Sequence, residues 1–435
     1  MSNESWSFPR EFWIANFMEL CERAAYYGFF IVLTLYLTDI VGFTDKETGI
    51  VAGVFSAMLY FLPPFVGAIS DRIGFRHAMI LAFALLTVGY TLMAIFHSKS
   101  VVLLTLTIIL IGGSFIKPLI TGTVAKTTSE ANRARGYSLF YWVVNFGAFS
   151  GKTFVPFIRQ NWGLAYVNYF SAIMAFLALL FAIFFFKAIE NDKPAKTFSE
   201  VFTSLKAIFL SPKLMMLTLI VAGFWIIQHQ MYATMPKYVI RLLGDSAKPE
   251  WLANVNPLFV VIFVVPVTQL MKKYAAVSSM LVGMILMPFS ALAMSGSQWL
   301  QNGVFGLHPL TVMMIIGIGI QGFAECFISP RFLEYFSLQA PKGEEGIYLG
   351  FSHLHSFFSA LAGFILSGYL LDAYCPDPKT LPAGISAAER AAYYSGAHKI
   401  WYVFLGIGLV AAVALFIFRL VTQEKTTQEA TPSAA

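Results

Sequence analysis

The stretch "GAISDRIGFRH", residues 67–77, ends one apolar run and begins the next, with Asp71, Arg72 and Arg76 spaced around Gly67 and Gly74. Taken alone it is a basic loop on one side of a membrane, between apolar runs at 47–70 and 77–97. Each run is long enough to cross a hydrocarbon core of roughly 30 Å as a helix. The pattern repeats outward in both directions, at 11–40, 101–125, 137–159 and 163–187, then at 213–240, 251–271, 278–298, 309–336, 347–371 and 398–420. Composition agrees: of 435 residues, 58% are hydrophobic, 16% aromatic and only 12% charged, where a soluble domain carries about a quarter. The expected fold class is an all-α membrane protein with 12 transmembrane helices.

Charge sets the orientation. The net charge of +6 could suggest nucleic acid, but the basic residues fall in loops. With a cytoplasmic N-terminus, roughly twice as many Lys and Arg lie inside as outside, as the positive-inside rule favours. Both termini are therefore expected in the cytoplasm, with no nucleic-acid partner. The interior stretch "AIENDKPAKTFSEVFTSLKAIFLSPK" is the most basic and least apolar. It divides the chain into a six-helix bundle at 1–187, a cytoplasmic linker at 188–212, a second bundle at 213–421 and a tail expected to be disordered at 422–435. The linker is long enough for one amphipathic helix lying on the membrane and too short for another pair of spans. The first run, from near Phe12, is too long for a signal-peptide core and is expected to remain as a span. Cys21, Cys326 and Cys375 offer neither a disulfide framework nor metal-type spacing.

The 67–77 spacing, Gly-x-x-x-Asp-Arg-x-Gly-x-Arg, resembles the signature loop of the major facilitator superfamily. That resemblance implies two six-helix halves rocking around a central site near the bilayer midplane, with Gly67, Asp71, Arg72, Gly74 and Arg76 clamping helices at the cytoplasmic face.

A second stretch asks for a function. In "NFMELCERAAYYGFF", residues 16–30, Glu19, Glu22, Arg23, Tyr26, Tyr27 and Phe30 recur at steps of three and four, so they share one helix face. A charge at the bilayer centre costs at least about 2.5 kcal/mol on insertion scales. Three of them either neutralise one another as an ion-pair knot or serve a mechanism. The segment resembles the E-x-x-E-R-F-x-Y-Y-G motif of the proton-dependent oligopeptide transporter family, with Ala24 in place of the usual Phe. "GGSFIKPLITGTV", "GYSLFYWVVNFGAFSG", "NVNPLFVVIFVVP" and "AECFISPRFLEYFSLQAP" resemble further motifs of that family, in its order, and supply Lys117, Asn145, Asn256 and Glu325. The resemblance implies a site in which Arg23 and Lys117 bind a substrate carboxylate and Asn145, Asn256 and Glu325 receive its amine. Tyr26, Tyr27, Tyr60, Trp225 and Gln228 would line side-chain pockets, although helix packing explains the aromatic residues equally well. Glu19, Glu22, Arg23 and Glu325 would couple transport to protons, because a change of partner can move a buried carboxylate across physiological pH.

Four departures from the family pattern bear on substrate. In "FWIIQHQMYATMP", His229 replaces the glutamate expected to partner Lys117. Its unperturbed pKa near 6.5 suits a proton carrier, but a place facing a lysine favours contact with substrate or water. Phe30 stands where many members of that family carry a second arginine. Lys152 appears seven residues after Asn145, where proline is usual, either restoring a positive charge that faces Glu325 or snorkelling to the outer interface. In "GFSHLHSFF", Ser352 takes a tryptophan position. His353 and His355, two residues apart, are expected on different helix faces and so without a shared metal.

The reading is a proton-coupled symporter of di- and tripeptides or peptide-like solutes, with protons as coupling ion and no other cofactor or metal. The alternatives are a proton-coupled transporter of a modified peptide or small organic anion, and a receptor that binds without flux. No catalytic or nucleotide-binding motif points to an enzyme. A monomer in a bacterial inner membrane is expected.

Overall fold

The structure is a computed structural model that describes residues 7–129, 132–187, 197–300, 302–339, 351–383 and 385–429. Those residues are helical, save for loops and one isolated bridge between Val304 and Leu307. Ten helices are long and apolar enough to cross a membrane, and an eleventh span is the pair Asp45–Phe61 and Pro63–Ile73, bent by 51°. The bend falls at Leu62-Pro63-Pro64, where proline removes a backbone donor and crowds the preceding turn. The expected span at 137–159 lies within a 29-residue helix, Arg133–Asn161. It is more polar than the others because it carries Asn145, Lys152, Arg159 and Gln160.

The chain forms two compact units, one of residues up to Thr203 together with Met235–Asn254, the other of Ser204–Thr234 together with Val255 onward. In this grouping part of the 188–212 linker and the 235–254 segment belong with the first unit.

In the first unit, α1 (Arg10–Asp39), α2 (Asp45–Phe61), α3 (Pro63–Ile73), α4 (Phe75–Ile95), α5 (Lys99–Thr127), α6 (Arg133–Asn161) and α7 (Tyr166–Phe184) follow in order. Helix α1 packs on α6 at two glycines four residues apart. A Cβ on Gly147 would lie 2.9 Å from Leu20 O and 2.7 Å from Arg23 Cβ, and one on Gly151 would strike the Ala24 carbonyl. Small residues at this spacing let membrane helices approach backbone to backbone. The signature loop is built as a joint: Gly74 links α3 to α4 at φ +84°, a conformation that costs glycine little. Beside it, Arg76 Nη2 donates to Ile183 O of α7 at 2.9 Å, and the Arg72 guanidinium lies 5.5 Å from the Phe198 ring centroid. Asp71 is half-buried, and a Cβ on Gly67 would make only an ordinary 3.7 Å contact with Pro118.

The linker holds one amphipathic helix, α8 (Phe198–Phe209), with Val201, Leu205 and Ile208 buried. The seventh span is broken into α9 (Pro212–Gln228), a single turn α10 (Gln230–Ala233) and α11 (Met235–Leu243). After the turn α12 (Pro249–Leu252) come α13 (Val255–Met271), α14 (Ala276–Ser295), α15 (Pro309–Leu338), α16 (Leu354–Tyr374), the short α17 (Ala387–Tyr393) and α18 (Lys399–Glu429). Residues 347–350 of the expected eleventh span lie outside the described residues. The second unit is also stitched by glycines: a Cβ on Gly283 of α14 would lie 2.6 Å from Ala324 O, and one on Gly322 of α15 would lie 2.8 Å from Asn256 O.

Candidate functional site

In the first unit the charged face of α1 closes on itself. Arg23 Nε lies 3.3 Å from Glu19 Oε1 and donates to Glu22 Oε2 at 2.5 Å, and Nη2 pairs with the same Glu22 oxygen. Both glutamates are 2% exposed. Glu19 Oε2 is buried and has no hydrogen-bond partner among the described residues. The guanidinium also lies over the rings of Tyr26 and Tyr27, at 5.3 and 5.8 Å. Tyr26 stacks on Phe30 at 5.1 Å and 15°, so the residue in the place of a second arginine buttresses the aromatic wall. Gly147 explains how Arg23 is accommodated, since any side chain there would displace its Cβ.

Lys117 is exposed, and its ammonium lies 5.9 Å from the Tyr60 ring centroid. Asn145 is half-buried and its amide donates to Tyr141 O in its own helix at 2.8 Å. Lys152 does not snorkel: it is 1% exposed, donates to Ala253 O at 3.1 Å and lies 5.7 Å from the Tyr27 ring centroid. Tyr27 is therefore a ring shared by Arg23 and Lys152.

The second unit gathers a separate cluster around Glu325. Glu325 on α15 accepts from Gln228 Nε2 at 3.0 Å and from Asn256 Nδ2 at 3.3 Å, both on Oε2. Two amides thus converge on one oxygen of a half-buried carboxylate. His229 is 5% exposed and sits 6.4 Å from the Trp225 ring and 6.0 Å from that of Phe364. Trp225 stacks on His355 at 5.2 Å and 6°, and Phe332 meets His355 edge-on at 4.9 Å. The rings of His353, the N-cap of α16, and His355 lie 6.1 Å apart at 65°. Among the described residues no group of three ligands able to hold a metal ion occurs.

Sequence reasoning missed a set of buried ion pairs in the first unit. Asp45 accepts from Lys237 at 2.7 Å and from Arg241 at 2.8 and 2.9 Å, with the three side chains 1–5% exposed. Arg159 donates to Glu250 at 2.7 Å and to Ala247 O at 2.6 Å. Asn254 donates to Phe149 O and Thr153 Oγ1, at 3.3 and 3.0 Å. The signal available was Lys237 and Arg241 four residues apart at the end of an apolar run.

The family model of the Major Facilitator Superfamily matches residues 15–307. Among curated proteins, the chain is 23% identical over 351 residues to the multidrug resistance protein MdtH of Cronobacter sakazakii, covering 80% of this chain and 83% of that protein. It is 23% identical to the dipeptide and tripeptide permease B of Aliivibrio fischeri, covering 93% of each. Among solved structures, the POT family transporter PepTSo superposes with a TM-score of 0.75 at 17% identity, covering 96% of this chain and 99% of that one. A POT family transporter in complex with 5-aminolevulinic acid superposes with a TM-score of 0.74, also at 17% identity, covering 96% of each chain.

Proposed function

The chain belongs to the Major Facilitator Superfamily, and from that premise we propose that it is a proton-coupled symporter of di- and tripeptides or peptide-like solutes. The observation that carries this reading is Arg23 held between two buried carboxylates, Glu19 and Glu22. A guanidinium so placed is occupied in the absence of a proton. Protonation of Glu22 turns its acceptor oxygen into a neutral carboxyl group, and the released guanidinium takes a substrate carboxylate through paired hydrogen bonds. The unpartnered Oε2 of Glu19 is a second oxygen at which a proton can add without displacing a donor.

In the second unit, Glu325 accepts from the amides of Gln228 and Asn256, and a carboxylate held in this way can take a substrate ammonium as a charge-assisted partner. A peptide carries both an ammonium and a carboxylate, and the chain holds a half-buried guanidinium and a half-buried carboxylate suited to these groups. The permease of Aliivibrio fischeri and the POT family structures support a peptide-type substrate. The second reading, a modified peptide or small organic anion, draws on His229, whose buried ring lies among Trp225 and Phe364 where an acid is usual in the proton-dependent oligopeptide transporters. A bacterial inner membrane, cytoplasmic termini and a monomeric carrier complete the proposal, the termini from the excess of basic inner loops.

The test uses purified protein in liposomes with an inward proton gradient and an internal pH dye. Lumenal acidification on adding a di- or tripeptide, lost in Glu22→Gln, is the expected result. Acidification only with non-peptide anions would replace the substrate class, and specific binding without any flux would make the protein a receptor.

A further inference from the structure

The second unit carries an apolar groove of about 1050 Å³ between α9 and α18, at the upper end of the volumes that hold small-molecule ligands. Met216 and Leu219 on α9 face Val410 on α18 across it, at 47%, 51% and 70% exposure. Its floor is made of small residues. A Cβ on Gly223 would lie 2.6 Å from that of Ala411, which seals the floor there, whereas a Cβ on Gly406 would meet nothing within 4 Å. The two helices touch at the floor while their outer rows leave a slot, so this shape suits a flexible chain rather than another rigid helix.

One end of the slot is different. Phe209 and Leu210 close it where α9 begins, and Leu210 N donates to Lys206 O one turn back in α8, at 2.9 Å. Lys206 is exposed beside the buried Leu205 and Ile208, the arrangement of an interfacial helix that sends its ammonium to the headgroup level. Lys213 follows within the first turn of α9, its ammonium 5.7 Å from the Tyr335 ring. No acidic residue occurs between Glu200 and Asp245, nor along 399–422 of α18. The apolar slot thus ends at Lys206 and Lys213, with no acidic residue on α9 or in α8 after Glu200.

We propose that this groove is a binding site for an anionic phospholipid, with an acyl chain over Gly223 and Gly406 and the phosphate beside Lys206 and Lys213. Basic pockets at the membrane surface flanked by apolar helix grooves select charged headgroups over zwitterionic ones. A second copy of the chain docking symmetrically would bring each pair of lysines against its own counterpart, like charge on like.

The test follows thermal unfolding and native mass of the full-length protein, delipidated in neutral detergent and titrated with phosphatidylglycerol, phosphatidylcholine or free glycerol phosphate. The wild type is expected to gain about 3 °C or more with phosphatidylglycerol than with phosphatidylcholine, and nothing with glycerol phosphate. Gly406→Leu fills the open floor, so it should fold with an unchanged lipid-free midpoint and lose bound phosphatidylglycerol from its native mass. The double substitution Lys206→Gln and Lys213→Gln should level the two lipids. Equal stabilisation by both lipids in the wild type would overturn the proposal. So would a Gly406→Leu protein that keeps its phosphatidylglycerol, a shift with glycerol phosphate alone, or a dimer mass that Gly406→Leu abolishes.

Discussion

Arg23 has more claimants than it can serve. Two carboxylates hold it in the first unit, and in the proposed cycle a substrate carboxylate takes their place. Glu22→Gln mimics the protonated partner permanently, so it is expected to abolish gradient-driven accumulation while leaving counterflow exchange of labelled peptide intact. Exchange lost together with accumulation would assign Glu22 to binding rather than coupling. Asp45 makes the opposite kind of demand, being one carboxylate shared by two buried cations. Asp45→Ala strands Lys237 and Arg241, and breaking a buried pair costs about 3 to 5 kcal/mol. A drop of many degrees in the unfolding midpoint is expected, with Asp45→Glu much milder, as read by thermal unfolding in detergent. The two clusters were not equally legible. Charges inside "ELCER" stand out because no other charge falls between Glu11 and Asp39. Asp45 follows the N-cap Thr44, whose hydroxyl accepts from Glu47 N in a capping box, and there an acid is unremarkable because it complements the helix dipole.

At the scale of elements, the α1–α6 contact decides how closely Arg23 can be approached. Gly151→Ala would drive a methyl group into the Ala24 carbonyl, and overpacking of this kind costs about 1 to 3 kcal/mol. Gly67→Ala, at a signature position with only a 3.7 Å neighbour, is expected to unfold at nearly the wild-type temperature. A ranking in the reverse order would refute the packing argument. The helices themselves were legible from apolar run length, but the break in the seventh span was not. Pro236, at the start of α11, marks the second interruption at Thr234, but no glycine or proline beside His229 announces the first. The break is held by side chains instead: Gln230 Nε2 donates to Ile226 O and Gly363 O, and Thr234 meets Gln230 Oε1 and Ser367 Oγ at 2.6 Å. Pairings of that kind depend on α16, over a hundred residues away, and leave no local mark.

For the whole molecule, the grouping of 235–254 with the first unit was not legible in the sequence, because it rests on ion pairs between residues 91 to 196 positions apart. Its consequence is one of stitching. The chain passes from one unit to the other three times, after Thr203, after Thr234 and after Asn254, so the linker is not the only seam. A protease site engineered into 191–196 and cut in the folded protein is expected to yield two fragments that copurify and still bind substrate. A fragment ending at Thr203 and expressed alone lacks Lys237, Arg241 and Glu250, leaving Asp45 and Arg159 buried with unanswered charges. It should aggregate on extraction, and co-expression with 204–435 should rescue it. A stable, monodisperse 1–203 fragment would show that the exchanged segment is ornament. As the structure stands, that segment makes the protein a garment sewn with a backstitch, which one cut thread does not undo.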